Sequence, residues 1–418
     1  MSRTSSLVAT TVVAIAVHVV LFVATGLLIR YGSHPDLGAA TWSYGIYYDY
    51  ASQAMEGRVP YRDYLVEYPL LTFPLFLVPR LFVSDFAGYC IAFGVEMLLF
   101  DAAAIVLLAR QVAATEGTGP VAGRLAWYTV YCASLAPLVV GRFELAPMVL
   151  AFAAAGWWFS GRNRLGGFTA GLGALMKVFP GLVAAPALVW EAARPRAWRG
   201  RGTLAFVLTV AIGAAGWFAL GGAHVLESFR YHAARGLGIE TVYAGVVLAW
   251  GKLAGTEIPW VIEHRAVHLV PQWGSRLAAL AAPIQAAAIL VVLVQFVRSG
   301  CTSGIRFSGA AILASLVTAK VLSPQYLVWL FPFVVVLNGW TGHRARWLFL
   351  LVCLATSVIY PGPGFAQVLD HQGLAIFLLN LRNALLLTLG ALILFGPASA
   401  ESSSSAASGE AIVPASRT

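Results

Sequence analysis

Residues 162–201 read RNRLGGFTAGLGALMKVFPGLVAAPALVWEAARPRAWRGR, and this pattern decides how the rest of the chain is threaded. The apolar run at 166–190 is long enough for one membrane crossing, yet arginines flank it on both sides. Positive charge marks the cytoplasmic side, so both arginine groups lie inside only if the run turns back on itself. The segment 177–181, KVFPG, supplies the break, because proline and glycine interrupt helices. As one straight span, the run would instead move every later loop to the other side.

The whole chain has the composition of a membrane protein. Of its 418 residues 59% are hydrophobic and only 11% are charged, whereas soluble proteins carry about 25% charged residues. Apolar runs near the length of a membrane span recur from end to end. The predicted spans are 8–29, 86–109, 125–141, 145–160, 203–221, 275–297, 307–322, 325–338, 347–360 and 374–396. With the hairpin counted as two, the sequence predicts an all-α polytopic protein of the cell membrane with about 12 membrane segments.

The net charge of +9 does not indicate a nucleic-acid partner, because the basic residues are scattered in short loops. With both termini inside, the inner loops hold 14 arginines against four acids, which is the bias that membrane insertion requires. The four cysteines show neither a disulfide framework nor a zinc-ligand spacing. No His and Asp cluster has metal spacing either, so we expect no essential metal and no cofactor.

Two large outer loops are predicted, at 30–85 and 222–274, within one membrane domain at 1–396. Both look folded, and the apolar stretch 70–83 suits an interfacial or re-entrant helix, because it is too short to span comfortably. The serine-rich tail, 397–418, is predicted to be a disordered cytoplasmic segment.

The first outer loop is the most polar part of the chain. Residues 43–71 read SYGIYYDYASQAMEGRVPYRDYLVEYPLL and place Asp49, Asp63 and Glu67 among seven tyrosines. Under the predicted topology further polar residues converge on the outer face from separate loops, as an active site would require. They are Arg142, Glu144, Lys177, Arg235, Glu240, Lys320, Gln325 and Tyr326.

Structural roles compete with functional ones at several of these positions. Arg142 and Glu144 could form a simple loop ion pair, and Lys177 could snorkel to lipid phosphates. His18, in the first span, is expected to be a satisfied helix–helix contact. Glu96 and Asp101, in the second span, could pair with a facing arginine or a hydroxyl, or serve a function.

Five stretches together resemble one family. They are GIYYDYASQAMEGRVPYRDYLVEYP at 45–69, RFELAP at 142–147, GLGALMKVFPGL at 171–182, RGLGIET at 235–241 and KVLSPQYLVWLFP at 320–332. In this order they resemble glycosyltransferase family 87 of the GT-C superfamily, and in particular polyprenol-phosphate-mannose-dependent mannosyltransferases of actinobacteria.

The resemblance implies an enzyme that takes a sugar from a lipid-linked phosphate donor outside the membrane, with a catalytic carboxylate in the first outer loop. The family often has Asp four residues before the tyrosine that matches Tyr47, where this chain has Ser43. RFE, with Glu144, stands where Asp is common. By elimination among the ionised outer acids, Asp49 is the predicted base, with Glu67 and Asp63 as the next candidates.

Transfer from such a donor, with inversion at the sugar carbon, also needs cations for the departing phosphate. Lys177, Lys320 and Arg235 are the predicted phosphate ligands. The other predicted substrate contacts are Arg142, Glu144, Glu240, Gln325, Tyr326 and Tyr48. The expected partners are a polyprenyl-phosphate-sugar donor and a lipid or glycan acceptor.

Two other functions stay open on the sequence. A transporter or flippase would also have many spans and intramembrane polar residues, although no internal repeat is visible. A non-catalytic membrane subunit is the second alternative, and Ser43 in place of the family's Asp favours it.

Overall fold

The computed structural model describes residues 3–31, 38–195, 200–360 and 364–397. The tail predicted to be disordered, from residue 398 onward, lies outside the described residues. The described helices, α1 to α18 in chain order, are Arg3–Tyr31, Gly38–Met55, Phe73–Phe82, Phe86–Glu116, Val121–Ser134, Ala136–Val140, Leu145–Phe159, Asn163–Met176, Ala184–Ala192, Arg201–Gly221, Val225–Ala234, Val242–Ala254, Pro271–Arg298, Gly304–Thr318, Phe331–Val335, Gly339–Ile359, Gly364–Leu369 and Gly373–Phe395. Within the described ranges, short 3-10 helices occur at Leu70–Thr72, Phe179–Val183, Gly222–His224 and Pro324–Leu330.

Six helices in the described part of the chain are long and apolar enough to cross a membrane: α1, α4, α10, α13, α16 and α18. Their outward faces are apolar too, since Val13, Val20 and Ile212 are 63%, 67% and 71% exposed. Soluble proteins rarely expose continuous apolar surfaces, whereas lipid accommodates them. The predicted multi-pass, helical membrane protein is therefore confirmed; a short β-hairpin in the second outer loop is the departure from the all-α prediction.

The remaining predicted spans contain shorter or interrupted helices. The run at 125–141 forms α5 and α6, and the run at 325–338 forms a 3-10 helix followed by α15. Prolines at the starts of α6 and α15 explain these interruptions, because a proline ring is incompatible with a continuous helix before it.

The hairpin predicted at 166–190 is confirmed. Its first arm is α8, its second arm is α9, and the break begins at Lys177, whose backbone is extended (φ −157°, ψ 140°). Asn163, at the start of α8, donates through Nδ2 to Glu191 Oε1 near the end of α9 at 2.9 Å. The backbone N–H of Gly202, in α10, donates to the same oxygen at 2.8 Å. Both arms therefore begin and end at one side of the bundle.

The tip of the hairpin lies at the opposite side. The Thr72 hydroxyl donates to the carbonyl of Met176, just before Lys177. Tyr61 of the first outer loop contacts Trp217, near the end of α10, with 5.3 Å between ring centroids. We call this side the loop end. We call the other side, where Arg124, Asn163, Glu191 and Arg306 lie, the arginine-rich end.

Both predicted outer loops are folded. In the first, α2 and α3 pack together through rings: Tyr47 is almost fully buried and stacks on Phe76 at 4.3 Å, and Tyr68 meets Phe143 at 5.2 Å. These tyrosines, which the sequence suggested as a sugar-stacking surface, are thus used mainly in packing against one another.

The second loop forms α11, α12 and a β-hairpin. Its strands β1 (Trp260–Glu263) and β2 (Ala266–Leu269) are antiparallel, with Trp260 opposite Leu269. Thr241 caps α12 by accepting from the backbone N–H of Ala244. Asn383 of α18 donates to the carbonyl of Thr241 at 3.2 Å, which fixes the start of α12 against the last long helix.

Candidate functional site

A buried ion pair forms the centre of the loop end. Lys177 Nζ lies 2.7 and 2.9 Å from the two carboxylate oxygens of Glu144, and the Glu144 side chain is 2% exposed. Trp329 donates its indole N–H to Glu144 Oε2 at 2.5 Å. Glu144 therefore pairs with the hairpin tip, and the loop ion pair with Arg142 that the sequence allowed is not the one formed.

Aromatic rings surround the Lys177 ammonium. Its Nζ lies 4.5 Å from the ring centroid of Phe143, 4.9 Å from that of Tyr326 and 5.1 Å from that of Trp329. Tyr326 and Trp329 stack at 4.3 Å, so KVLSPQYLVW, at 320–329, presents one continuous aromatic face to the cation. Cation–π attraction of this kind strengthens as water is removed. Gln325 lies half-buried beside Tyr326. Lys177 is thus fixed in position, with its charge balanced by Glu144.

Arg142 lies at the junction between the first loop and the bundle. Its guanidinium donates to the Ser43 hydroxyl and to Tyr360 Oη, the latter at 3.4 Å. Its Nε is buried and has no hydrogen-bond partner among the described residues. Position 43, where the family pattern places Asp, therefore faces a cation inside the site.

Glu240 is a carboxyl group among arginines. Burial raises its pKa to about 7, although Arg382, Arg142 and Arg235 all act in the opposite direction. Its Oε1 is buried and lacks a hydrogen-bond partner within the described part of the chain, as do Nε of Arg235 and both Nε and Nη1 of Arg382. Among the described residues, Arg382 donates to the backbone carbonyl of Glu240, at 3.0 Å.

These groups leave an excess of positive charge. Three guanidinium groups share the field of one carboxyl group, and none forms a direct ion pair with it in the described structure. Unpaired buried polar atoms are costly unless water or a ligand satisfies them. The geometry is suited to an anion with several acceptor oxygens, such as a phosphate.

Lys320 positions the second loop. Its Nζ donates to the carbonyls of Ala233 and Arg235, both at 2.8 Å, and its own carbonyl accepts from Gly238 N–H at 2.9 Å. Burial and the neighbouring Arg235 lower the pKa of Lys320. The contacts hold the backbone of Arg235, whose side chain stays available for a ligand.

Among the first-loop carboxylates, Glu67 is the one that reaches this cluster. It is 8% exposed, its Oε1 lies 3.7 Å from Arg265 Nη1, and its carbonyl accepts from His232 Nε2 at 2.8 Å. Its charge acts on Tyr47, which also senses Arg142 and Glu144. Glu67 therefore lies within electrostatic reach of the site centre.

Asp49, Asp63 and Tyr48 lie elsewhere. Asp49 is exposed and accepts from Gln53, while Asp63 pairs with Arg62, which lowers the Asp63 pKa to about 2. The Tyr48 hydroxyl donates to the carbonyl of Ser84 at 2.7 Å. In the described structure none of the three contacts Arg142, Glu144 or Lys177.

Sequence reasoning missed Arg382, Trp329 and His268. Arg382 is 1% exposed within the last long helix, and an arginine in a membrane span is itself a functional signal. His268 is 1% exposed, and burial together with Arg235 lowers its pKa to about 4, so its ring is neutral at physiological pH. No motif distinguished Trp329 from the other aromatic residues of its span.

A second polar cluster lies in the membrane-spanning part. His18 Nδ1 is 2.6 Å from Asp101 Oδ2, Tyr128 donates to Asp101 Oδ1 at 2.8 Å, and Cys132 completes a buried group of potential metal ligands. The Thr129 hydroxyl donates to Leu125 and thus accepts from His18 Nε2–H. The 2.6 Å contact joins α1 to α4, and the contact with Thr129 joins α1 to α5. The expected helix–helix role of His18 is confirmed.

Comparison with known proteins finds similarity among solved structures. No protein-family model and no curated protein matches the chain. The crystal structure of ArnT from Cupriavidus metallidurans in the apo state is similar, with 14% sequence identity and a TM-score of 0.44, over 91% of this chain and 78% of that chain.

Proposed function

We propose that the protein is a membrane glycosyltransferase that moves a hexose, mannose, from a polyprenyl-phosphate donor to a lipid or glycan acceptor at the loop end. The observation that carries the proposal is the excess cationic charge of Arg142, Arg235 and Arg382 around Glu240, next to a buried Glu144–Lys177 pair. The order of the five sequence motifs supports the same function, because four of them supply residues to this cluster.

The donor phosphate is assigned to the unpaired guanidinium groups. The Nε atoms of Arg142 and Arg235 have no hydrogen-bond partner among the described residues. Lys177, by contrast, already donates to both carboxylate oxygens of Glu144. Arginine binds phosphate oxygens in a bidentate manner, which suits a leaving group that gains charge as the sugar–oxygen bond breaks. Lys177 and Lys320 then hold the hairpin tip and the second loop around it.

The acceptor base is assigned to Glu67, with Asp49 and Asp63 as the alternatives. Effective general bases have a pKa near the working pH and lie within reach of the acceptor hydroxyl. Asp63, with a pKa of about 2, is a weak base, and Asp49 is exposed on α2. Glu67 is buried at the junction of both outer loops, where an acceptor could approach the sugar from the side opposite the phosphate.

One observation favours a non-catalytic membrane subunit as the second candidate. Ser43 contacts Arg142 at the position where the family pattern has Asp, so the site holds a hydroxyl in place of a carboxylate.

The test incubates purified protein with radiolabelled polyprenyl-phosphate-mannose and a membrane-lipid acceptor. We expect labelled product from the wild type and a loss of about 10²–10⁴-fold in turnover for Glu67→Gln, with donor binding retained. Glu227→Gln, an exposed acid of the second loop, is the matched control. Full turnover in Glu67→Gln with loss in Asp49→Asn or Asp63→Asn would reassign the base. Donor binding without transfer by the wild type would favour the non-catalytic subunit.

A further inference from the structure

A basic cavity opens at the arginine-rich end, far from the proposed active site. It measures about 420 Å³ and lies where α8 and α10 begin; its lining residues are Gly161, Arg162, Asn163, Arg164, Leu165 and Arg201. All three arginines are exposed, and none forms an ion pair with a described carboxylate. The nearby Glu191 forms no direct ion pair with them in the described structure; its oxygens accept from Asn163, Gly202 and Thr203.

An apolar groove lies next to this cavity. It measures about 620 Å³ and runs between α4, α7 and α8, where Ala103, Trp157 and Phe168 line it. Leu165 lines both spaces. A cluster of unpaired arginines thus adjoins a groove that polar solutes would avoid.

We propose that the two spaces together bind an anionic phospholipid, with its phosphate among Arg162, Arg164 and Arg201 and one hydrocarbon chain in the groove. Arginine pairs with phosphate oxygens in a bidentate manner. Basic pockets between helices on the cytoplasmic side are suited to anionic headgroups, and the positive-inside rule places this end there. Neither the cavity alone nor the groove alone would select a molecule that is anionic at one end and apolar along the rest.

The lipid site is separate from the proposed donor site. The helix α8 has 14 residues, so its start in the cavity and the Lys177 that follows its end are about 21 Å apart. A lipid bound here would hold the base of the hairpin that carries Lys177 at its tip. The inference does not depend on the proposed reaction.

The test uses native mass spectrometry of the purified protein titrated with dioleoyl phosphatidylglycerol or dioleoyl phosphatidylcholine. We expect selective binding of the anionic lipid and a loss of affinity of about 10- to 100-fold in the Arg162→Gln, Arg164→Gln, Arg201→Gln triple variant. The matched control replaces Arg110, Arg298 and Arg344, which are exposed arginines of the same end outside the cavity. Equal loss in both triple variants, or unchanged binding in the first, would overturn the proposal.

A second variant separates a lipid from free phosphate. Ala103→Trp should fill part of the groove and weaken binding of the phospholipid while leaving the arginines intact. Inorganic phosphate, added as competitor, should displace the lipid only weakly. If inorganic phosphate competes at the lipid's own concentration and Ala103→Trp binds lipid normally, the cavity is a free-phosphate site and the lipid assignment is wrong.

Discussion

Replacing Glu240 by Gln should abolish a pH dependence of donor binding. Burial raises the Glu240 pKa to about 7, so the carboxyl is mostly neutral at pH 6 and mostly ionised at pH 8. The phosphodiester of the donor keeps one negative charge over this range, and burial keeps His268, with a pKa of about 4, neutral. Only Glu240 then changes the charge that faces the phosphate from within the group of Arg142, Arg235 and Arg382.

The expected size follows from Coulomb's law. Two negative charges about 6 Å apart repel by about 3 kcal/mol at an effective dielectric constant near 20, and partial screening reduces this to about 1–2 kcal/mol. Because the bound donor also raises the Glu240 pKa, part of the complex stays protonated at pH 8, and the donor affinity of the wild type should rise roughly 3- to 8-fold between pH 8 and pH 6. Glu240→Gln, neutral throughout, should bind with the low-pH affinity of the wild type at every pH.

The sign follows from linkage. A carboxyl whose pKa is raised in the folded protein holds its proton to higher pH, and an anion that binds beside it raises that pKa further. Donor binding is thus stronger below about pH 7 and weakens as pH rises through it. The assay is equilibrium binding of fluorescent polyprenyl-phosphate-mannose from pH 5.5 to 8.5, with Glu227→Gln as control. The same pH profile in Glu240→Gln and wild type would refute the reasoning.

Three further predictions concern fold, site and topology. A Cβ at Gly167 would overlap the carbonyl oxygen of Gly202, so Gly167→Val should separate α8 from α10 and destabilise the protein by about 1–3 kcal/mol. Gly123→Val, with open space around the glycine, should leave thermal unfolding almost unchanged, because valine is no worse than glycine in a helix. Ser43→Asp should place a carboxylate against Arg142 and raise turnover if position 43 supplies the base; unchanged turnover would leave that role with Glu67. In a variant without the native cysteines, single cysteines placed at Arg58 and Glu257 should react with an impermeant thiol reagent in intact cells, and one placed at Thr302 should not. Labelling at 302 would contradict the predicted sidedness.

The helical membrane fold and the hairpin could be predicted from the sequence, because hydrophobic length and arginine placement act locally. The convergence of Arg142, Lys177, Arg235 and Glu240 was also predictable, since the topology places their loops on one side. Which residues form ion pairs within this cluster could not be predicted. Glu144 lies two residues from Arg142 yet pairs with Lys177, 33 positions away. Sequence separation gives no information on which of two cations a buried carboxylate meets.

In the first outer loop, the sequence did not show which side chains are buried. Its tyrosines and acids looked like a catalytic surface because they are polar for a membrane protein. Tyr44, Tyr47 and Tyr50 are nevertheless almost fully buried, and Asp49 points from the exposed face of the same helix. The helical repeat of α2 places the three tyrosines on one face and Asp49 on another. The order of tyrosines and acids in the sequence does not show which of these faces packs inward.

The Glu144–Lys177 pair offers a way to distinguish anchoring from phosphate binding. Lys177→Met would leave Glu144 buried without its cation, and breaking a buried pair costs about 3–5 kcal/mol. Adding Glu144→Gln removes the stranded charge, and the Trp329 N–H can still donate to the amide oxygen. If Lys177 mainly anchors the hairpin tip, the double variant should recover most of the thermal stability and of the donor affinity lost in Lys177→Met. If Lys177 binds the phosphate itself, thermal stability should return in the double variant while donor affinity stays low. Arg235→Gln should then weaken donor binding no more than Lys177→Met does. Thermal stability and donor affinity, both measured on the wild type, Lys177→Met and the double variant, therefore decide between the two roles.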